Sequence, residues 1–404
     1  MSLLANKSIG KEIKNNFLSI SDQAKKEKSK DPKVINATTG MLYDQNGSLY
    51  EFNSLINVEK SLNKNEKFTY SPTAGTNEYE YAIKKWVFQD YLSEMENDLE
   101  ISVISTPGGT GAISNAFDNY INEGEYVLLP NHMWPCYKNI VREHNINYDT
   151  YDIYDLNDLK EKMLNHKVKQ NRVFLVLNDP CHNPTGHSLE YHEWKKLIKF
   201  INEITADNTP FVLVYDMAYI DFDPRGLDDS RKNLTLLKDI NDSVIAILAF
   251  SGSKTFSLYG VRIGAMLGVT KLKENIEEFF KSNEYSSRTK WSNTSRYGMS
   301  IISKCILNDN LCNQFMDELE EARNLVIERS DLMINLLNEN NIEYLPYSGG
   351  YFISLPVDNP VETMHKLIEK KLYIVPTERA IRLALCSITK EEIIRLVDIL
   401  KEVL

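Results

Sequence analysis

Lys254 is the residue of this sequence with the widest catalytic potential. It ends the tetrapeptide Ser251–Lys254, which directly follows the apolar run Val244–Phe250. Most lysines only carry a solvated charge, but a lysine held after a buried strand can form a Schiff base with a carbonyl cofactor. The serines beside it and Arg262, eight residues later, are donors that suit a phosphate monoester. This segment therefore predicts a site for a carbonyl cofactor that carries a phosphate.

A glycine-rich turn is a second candidate for anion binding. The turn Gly108–Ala112 (Gly-Gly-Thr-Gly-Ala) follows the apolar run Ile101–Ser105 and opens a helical pattern. Glycines let backbone N–H groups approach an anion, and a helix N-terminus adds about 0.3–1 kcal/mol. The turn lacks the lysine of a P-loop and does not fit GxGxxG. A glycine turn that binds no ligand therefore remains the alternative.

Three further side chains follow apolar runs and could face the same ligand. Asp216 ends the run Phe211–Tyr215, where a carboxylate could pair with a protonated pyridine nitrogen, and Tyr219 follows it closely. Asp216 could instead cap a helix N-terminus. Trp134 could lie flat against a planar ring or could belong to the core.

The elements that position these residues alternate between strands and helices. A helical pattern such as Leu189–Glu203 lies between short apolar runs, which is typical of a mostly parallel sheet with crossover helices. Ligands bind at the carboxyl ends of the strands in such sheets, so the loops after them predict one shared site. The predicted strands are Ile101–Ser105, Tyr126–Leu129, Val173–Leu177, Phe211–Tyr215 and Val244–Phe250.

The length and the change of pattern near Asn308 predict two domains. The chain has 404 residues, more than the roughly 250–300 over which one core usually grows. A long helix over about 310–340 would lead to an α+β tail with strands Tyr351–Leu355 and Ile381–Leu385 and the helix Lys390–Val403. We predict an N-terminal arm and part of the small domain in 1–48, the large domain in 49–315, and the small C-terminal domain in 316–404.

Composition excludes several other classes of protein. Lys and Arg number 46 against 57 Asp and Glu, a formal charge of −11, which disfavours binding to nucleic acid. No apolar run approaches the ~20 residues that span a bilayer, and Met1–Gly10 has no sustained apolar segment typical of a secretion signal. The five cysteines are scattered and form no CxxC, so a disulfide framework and a metal site are disfavoured and a cytoplasmic location is predicted.

The motifs together resemble those of class I aminotransferases, which are pyridoxal-phosphate enzymes of fold type I. The closest likeness is to the aspartate and aromatic aminotransferase subgroup, and it extends from Thr39-Gly40 to Arg382. The resemblance implies an α/β fold with a large domain built on a mostly parallel sheet and a smaller α+β domain. The motifs that carry it are Gly108–Ala112, Asn183-Pro184-Thr185-Gly186, Asp216-Met217-Ala218-Tyr219, Ser251–Lys254 and Arg262.

The resemblance implies a role for each motif residue toward pyridoxal 5'-phosphate. Lys254 would hold the cofactor as a Schiff base and act as the catalytic base, and Asp216 would pair with the ring nitrogen. Tyr219 and Asn183 would hydrogen-bond the phenolic oxygen, and Trp134 would stack on the ring. Tyr70 would reach the phosphate of a neighbouring subunit, which implies a homodimer with shared active sites. The remaining cofactor-binding residues would be Gly108, Gly109, Thr110, Ser251, Ser253 and Arg262.

Two arginines are expected to bind the substrate. Arg382 would clamp the α-carboxylate, in a substrate site completed by Gly40, Trp134 and Asn183. Arg288, 34 residues after Lys254, matches an arginine that binds the distal carboxylate of dicarboxylic substrates across the dimer interface. A surface salt bridge is its alternative role.

Two positions depart from the aspartate enzymes. Asn178 and Tyr137 stand where those enzymes often carry histidines behind the cofactor. These departures leave the chemistry intact and the exact substrate open.

The resemblance implies transfer of an amino group from an L-amino acid to a 2-oxo acid, 2-oxoglutarate being the expected acceptor, with ping-pong kinetics. Aspartate, glutamate and aromatic donors remain open. One alternative is a fold type I β-lyase similar to cystathionine β-lyase, which would share Lys254, Asp216 and Arg382. The other is a non-catalytic sensor domain, which would usually need a fused DNA-binding domain, and the roughly 40 residues before Gly40 are too few for one.

Overall fold

The computed structural model describes residues 3–5, 8–12 and 17–404. The predictions for Met1–Gly10 and for the arm 1–48 therefore lie partly outside the described residues. Within these ranges, none of the helices has the length and apolar character needed to cross a membrane.

The chain forms twelve strands among the described residues. Their bounds in chain order are β1 Ile35–Asn36, β2 Glu100–Thr106, β3 Tyr126–Pro130, β4 Asn147–Tyr151, β5 Val173–Asn178, β6 Phe211–Asp216, β7 Val244–Ser251, β8 Gly264–Thr270, β9 Phe352–Pro356, β10 Leu372–Tyr373, β11 Val375–Pro376 and β12 Ala380–Ala384.

Sixteen α-helices accompany them in the same ranges. They are α1 Phe17–Lys28, α2 Asn53–Ser61, α3 Lys64–Phe68, α4 Asn77–Phe88, α5 Leu92–Asp98, α6 Gly108–Tyr120, α7 Cys136–Glu143, α8 Leu156–Gln170, α9 Tyr191–Ile204, α10 Leu227–Lys232, α11 Gly252–Thr255, α12 Lys273–Lys290, α13 Arg296–Ile306, α14 Asp309–Glu339, α15 Pro360–Glu369 and α16 Lys390–Val403.

A seven-stranded, mostly parallel sheet organises the larger part of the chain. Its strand order is β2-β8-β7-β6-β5-β3-β4, and β8 runs in the direction opposite to the other six strands. Each of the five predicted strands lies within an observed strand that extends it by at most one residue at either end. The sequence analysis did not predict β4 or β8.

Both faces of this sheet are covered by helices. Along β5, Phe174 and Val176 belong to one buried cluster while Leu175 and Leu177 belong to another, because successive side chains of a strand point to opposite faces. The first cluster includes side chains of α6, α7 and α12, and the second includes side chains of α4, α9 and α13. This double burial explains why the central strands are wholly apolar.

The helix predicted over Leu189–Glu203 begins two residues later than expected. The backbone N–H of Leu189 donates to Asp179 Oδ1 (2.7 Å), so Leu189 is held outside the helix. Glu190 then caps α9 through a capping box with Glu193.

The smaller part of the chain has its own core around the sheets β11-β12-β9 and β1-β10. The helix α14 joins the two parts, since its Phe315 and Leu319 pack in the larger core and its Met333 and Leu337 in the smaller one. Ile35 also packs in the smaller core. The division at 48 and 315 stays a prediction.

Candidate active site

The loops after β2, β3, β5, β6 and β7 converge on one cleft of about 350 Å³. This volume is within the usual range of small-molecule sites, roughly 300–1,000 Å³. The cleft is lined by Gly109, Thr110, Ile113, Trp134, Asn178, Asn183, Asp216, Ala218, Tyr219, Ser251, Ser253, Lys254, Tyr259 and Arg262. The structure thus brings most of the predicted cofactor residues together.

Lys254 lies in the short helix α11, at the end of β7. Its Nζ donates to the carbonyl oxygen of Gly40 (2.7 Å). Burial lowers the pKa of Lys254 to about 8, and the positive charges of Arg382 and Arg262 act in the same direction. The lowered pKa therefore raises the fraction of neutral amine, which is the nucleophilic form.

Asp216 is a buried carboxylate at the carboxyl end of β6. Its Oδ2 accepts from Tyr137 Oη (2.5 Å), and its Oδ1 accepts from the backbone N–H of Ala218 (3.3 Å). Burial raises the pKa of Asp216 to about 6, and the Tyr137 hydrogen bond opposes that shift. Asp216 is not a helix cap, because the next helical turn, Ile220–Phe222, has Tyr219 at its N-cap position.

The N-terminus of α6 and the loop after α11 place hydrogen-bond donors at one end of the cleft. Pro107 precedes α6 and offers no side-chain cap, so the first N–H groups of the helix are left for a ligand. Gly108 has φ +73°, and a Cβ there would lie 2.7 Å from Arg262 Nη2. Arg262 Nη1 donates to Ser253 Oγ (2.9 Å). Hydroxyl, guanidinium and backbone donors at one end of a cleft suit a phosphate.

Arg382 lies on β12 and contacts the cleft-lining Asn183. Its Nη1 donates to Asn183 Oδ1 (3.2 Å), its Nη2 donates to the carbonyl of Thr38 (2.7 Å), and the guanidinium lies 4.3 Å from the centre of the Phe352 ring. Burial lowers the pKa of Arg382 to about 10. Its Nε is buried and has no hydrogen-bond partner among the described residues. A buried guanidinium with spare donors is suited to an incoming carboxylate.

Asn183 and Gly40 lie beside this arginine. Asn183 Nδ2 faces Tyr219 Oη at 3.4 Å, so one amide contacts both Arg382 and Tyr219. A Cβ at Gly40 would lie 2.8 Å from the Phe352 ring and 3.4 Å from Lys254 Nζ, so only glycine fits without displacement.

Two predicted residues are exposed and lie outside the cleft of their own chain. Tyr70 is 91% exposed, and Arg288 is exposed near the end of α12. Arg288 Nη1 donates to Ser292 Oγ (2.7 Å). Arg288 has no acidic partner among the described residues of its own chain, and both roles considered for it stay predictions.

Several residues at or near the cleft were not predicted from the sequence, among them Tyr259, Tyr351 and Cys386. Tyr259 lines the cleft, and the rings of Tyr219, Tyr259 and Tyr351 have their centres 5.6, 5.2 and 6.0 Å from Lys254 Nζ. Cys386 is fully buried near the same amine. The position of Tyr259 between Lys254 and Arg262 was a usable signal, whereas Tyr351 and Cys386 come from distant sequence.

Comparison with known proteins agrees with this geometry. The family model of the class I and II aminotransferases matches residues 32–400. The aspartate aminotransferase of Escherichia coli is 27% identical over 318 residues, which cover 76% of this chain and 77% of the relative. The aromatic-amino-acid aminotransferase of the same organism is 24% identical over 332 residues, 79% of this chain and 81% of the relative.

Solved structures agree as well. An aminotransferase from Anaerococcus prevotii superposes with a TM-score of 0.95 at 28% identity, covering 100% of this chain and 99% of the other. An aromatic-amino-acid aminotransferase from Burkholderia pseudomallei, covalently bound to pyridoxal phosphate, has a TM-score of 0.80 at 21% identity and full coverage of both chains. The expected fold is confirmed. The donor set of the cleft, with a nucleophilic amine, a buried carboxylate and an anion-binding end, fits that cofactor, and this chain belongs to the class I and II aminotransferases and is a pyridoxal-phosphate-dependent transaminase.

Proposed function

We propose that this transaminase moves the amino group of a dicarboxylic or aromatic L-amino acid to 2-oxoglutarate by a ping-pong mechanism. The observation that carries the proposal is the buried guanidinium of Arg382, which contacts Asn183 at the edge of the cleft that holds Lys254 and has no carboxylate partner among the described residues. An α-carboxylate bound there would place the adjacent amino group near Lys254. The similarity to an aspartate aminotransferase and an aromatic-amino-acid aminotransferase supports a dicarboxylic or aromatic amino donor.

The cofactor-binding residues divide by chemistry. Arg262, Ser251, Ser253 and the start of α6 at Gly108–Thr110 would bind the phosphate, because they provide charged and neutral donors at one end of the cleft. Asp216 would pair with the ring nitrogen as a buried anion. Asn183 and Tyr219 would donate to the phenolic oxygen, and Trp134 would cover one face of the ring.

Lys254 would transfer the α-proton of the amino acid. When bound, pyridoxal phosphate supplies the electron sink that makes the α-proton of an amino acid acidic. Lys254, whose pKa is lowered to about 8, would accept that proton and donate it to the C4′ carbon of the cofactor. Tyr219, whose Oη lies 3.4 Å from Asn183 Nδ2, would orient the phenolic oxygen of the cofactor.

A second copy of the chain would complete the site. Phe68, Tyr70 and Tyr285 are 81%, 91% and 72% exposed, an unusual exposure for large aromatic side chains. In a homodimer with shared sites, Tyr70 would reach the partner's phosphate site and Arg288 would meet the side-chain carboxylate of a substrate. We expect the purified enzyme to sediment as a dimer.

The cysteines support a reducing compartment. All five are free, and four of them are buried. Free thiols persist where the surroundings keep them reduced, as in the cytoplasm.

The test is to add single amino acids to the purified enzyme without an oxo acid and to record the absorption of the cofactor. Rapid bleaching by aspartate or glutamate would support dicarboxylate specificity, and bleaching by tyrosine or phenylalanine alone would reject the role of Arg288. Release of pyruvate and ammonia from a cysteine conjugate, with no bleaching by any donor, would mean that the enzyme is a β-lyase.

A further inference from the structure

The first turn of α7 connects the cleft to the buried carboxylate behind it. The backbone N–H of Tyr137 donates to the carbonyl of Trp134 (3.1 Å), and the two rings meet edge to face at 5.5 Å and 88°. Trp134 lines the cleft, while Tyr137 is fully buried and points its hydroxyl at Asp216. The segment that leads into α7 thus carries a cleft residue, and the first turn of the helix carries the donor to the carboxylate.

The main chain at Asp216 is fixed separately from its side chain. Asn178 Nδ2 donates to the carbonyl of Asp216 (2.8 Å), and Asn178 Oδ1 accepts from the backbone N–H of Asn183 (2.8 Å). These bonds tie the ends of β5 and β6 together but leave the carboxylate free to rotate. Its orientation is therefore set by the groups that donate to its two oxygens.

Tyr137 is the stronger of those two donors. Its Oη lies 2.5 Å from Oδ2, against 3.3 Å for the backbone N–H of Ala218 on Oδ1, and no other side chain in the described residues donates to this carboxylate. Hydrogen bonds to ionised groups are shorter and roughly twice as strong as neutral ones. Without this bond, burial would favour the protonated acid.

We propose that Tyr137 is a positioning residue that keeps Asp216 ionised and aimed at the ring nitrogen, and so sets the preference of the site for a protonated pyridine ring. The inference rests on the proposed assignment of Asp216 to that nitrogen. Burial and the neighbouring carboxylate hold the pKa of Tyr137 well above its usual value, so the phenol keeps the proton that it donates. The donor therefore does not titrate in the neutral range, unlike an imidazole at the same position.

A purely structural role makes a different prediction. A buried tyrosine that only fills space would affect every ligand of the cleft equally, whereas a donor to Asp216 matters only when the ligand has a basic ring nitrogen. Tyr151 provides a matched control, because it is also buried and its Oη donates to the carbonyl of Val176 (2.9 Å) on the sheet.

The experiment compares pyridoxal 5'-phosphate with its 1-deaza analogue, in which a C–H group replaces the ring nitrogen. Dissociation constants of both are measured by equilibrium dialysis against the full-length apo forms of the parent enzyme and of Tyr137→Phe and Tyr151→Phe. We expect Tyr137→Phe to bind pyridoxal phosphate about tenfold more weakly and the analogue unchanged. Tyr151→Phe should leave the ratio of the two constants at the parent value.

Equal weakening of both ligands in Tyr137→Phe would overturn the inference and show a structural role, as would no weakening of either. Asp216→Asn separates the inference from its premise. If Asp216→Asn keeps the parent ratio of the two dissociation constants, the assignment of Asp216 itself is wrong. If Asp216→Asn changes that ratio while Tyr137→Phe keeps it, only the role of Tyr137 is wrong. Should Tyr137→Phe fail to fold by circular dichroism, Tyr137→Met removes the same hydroxyl and takes its place.

Discussion

Replacing Arg382 with methionine should destroy catalysis without destabilising the protein. The guanidinium is buried, its two neighbours Asn183 and Thr38 are neutral acceptors, and none of the described carboxylates pairs with it. Arg382→Met removes both the cost of burying an unpaired charge and two hydrogen bonds to neutral acceptors. These effects oppose each other, so the free energy of unfolding of the apoenzyme should change by no more than about 1 kcal/mol.

The loss of activity should be far larger. A substrate carboxylate bound to the spare donors of Arg382 would make two charge-assisted hydrogen bonds, each contributing about 1.5–3 kcal/mol. Losing both raises the free energy of the transition state relative to free enzyme and substrate by about 3–6 kcal/mol, which lowers kcat/KM about 10²- to 10⁴-fold. Because every amino acid has an α-carboxylate, the loss should be similar for aspartate and phenylalanine.

The assay is steady-state turnover of both donors with 2-oxoglutarate, together with urea unfolding of the apoenzyme. Arg288→Met is the matched control, since it removes the same group from an exposed position and should reduce kcat/KM for aspartate but not for phenylalanine. If Arg382→Met loses activity only in proportion to a loss of folded protein, the arginine is structural. If it loses activity with aspartate alone, Arg382 and Arg288 have been assigned the wrong way round.

Three other predictions follow from the same structure. The rate at which the apoenzyme attaches pyridoxal phosphate covalently should rise with pH and level off above about 8, because only the neutral amine of Lys254 reacts; a rate that is flat between pH 6 and 9 would contradict the lowered pKa. Lys254→Ala should stop turnover, and near-normal rates in that variant would remove the lysine from the mechanism. Arg231→Met should cost about 3–5 kcal/mol in urea unfolding, because it leaves the fully buried Asp221 charged, with only the neutral donors Trp86 and Thr255. A change below about 1 kcal/mol would refute this.

Much of the larger sheet follows from local sequence. Strands such as Val173–Asn178 are covered on both faces, so their residues are almost all apolar and their ends are marked by the first polar side chains. The same pattern fails for Asn147–Tyr151, an edge strand whose residues are largely exposed or half-exposed and polar. It also fails for Gly264–Thr270, whose two glycines weaken the strand signal although the strand is fully buried.

The site is predictable where its residues are consecutive in sequence and unpredictable where they are not. The tetrapeptide that ends at Lys254 can be recognised from the sequence alone. The hydrogen bond from Tyr137 to Asp216 cannot, because it joins residues 79 positions apart. Tyr351 and Cys386 approach Lys254 only because α14 brings the smaller part of the chain against the larger. Tyr70 and Arg288 lie outside the cleft of their own chain, so their proposed roles require a second copy.

One physical cause accounts for the electrostatics of the whole cleft. The pKa values of Lys254, Asp216 and Arg382 are all shifted toward the neutral form, and burial is the largest cause in each case. The charged forms of Arg382 and Asp216 would therefore be stabilised by ligands of opposite charge, a carboxylate at Arg382 and a protonated nitrogen at Asp216. At Lys254 the same burial favours the neutral amine that attacks a carbonyl. Perturbed ionisable groups clustered in one cleft are typical of catalytic sites, and here the ligand charges that would relieve them are those of an amino acid and a protonated pyridine ring.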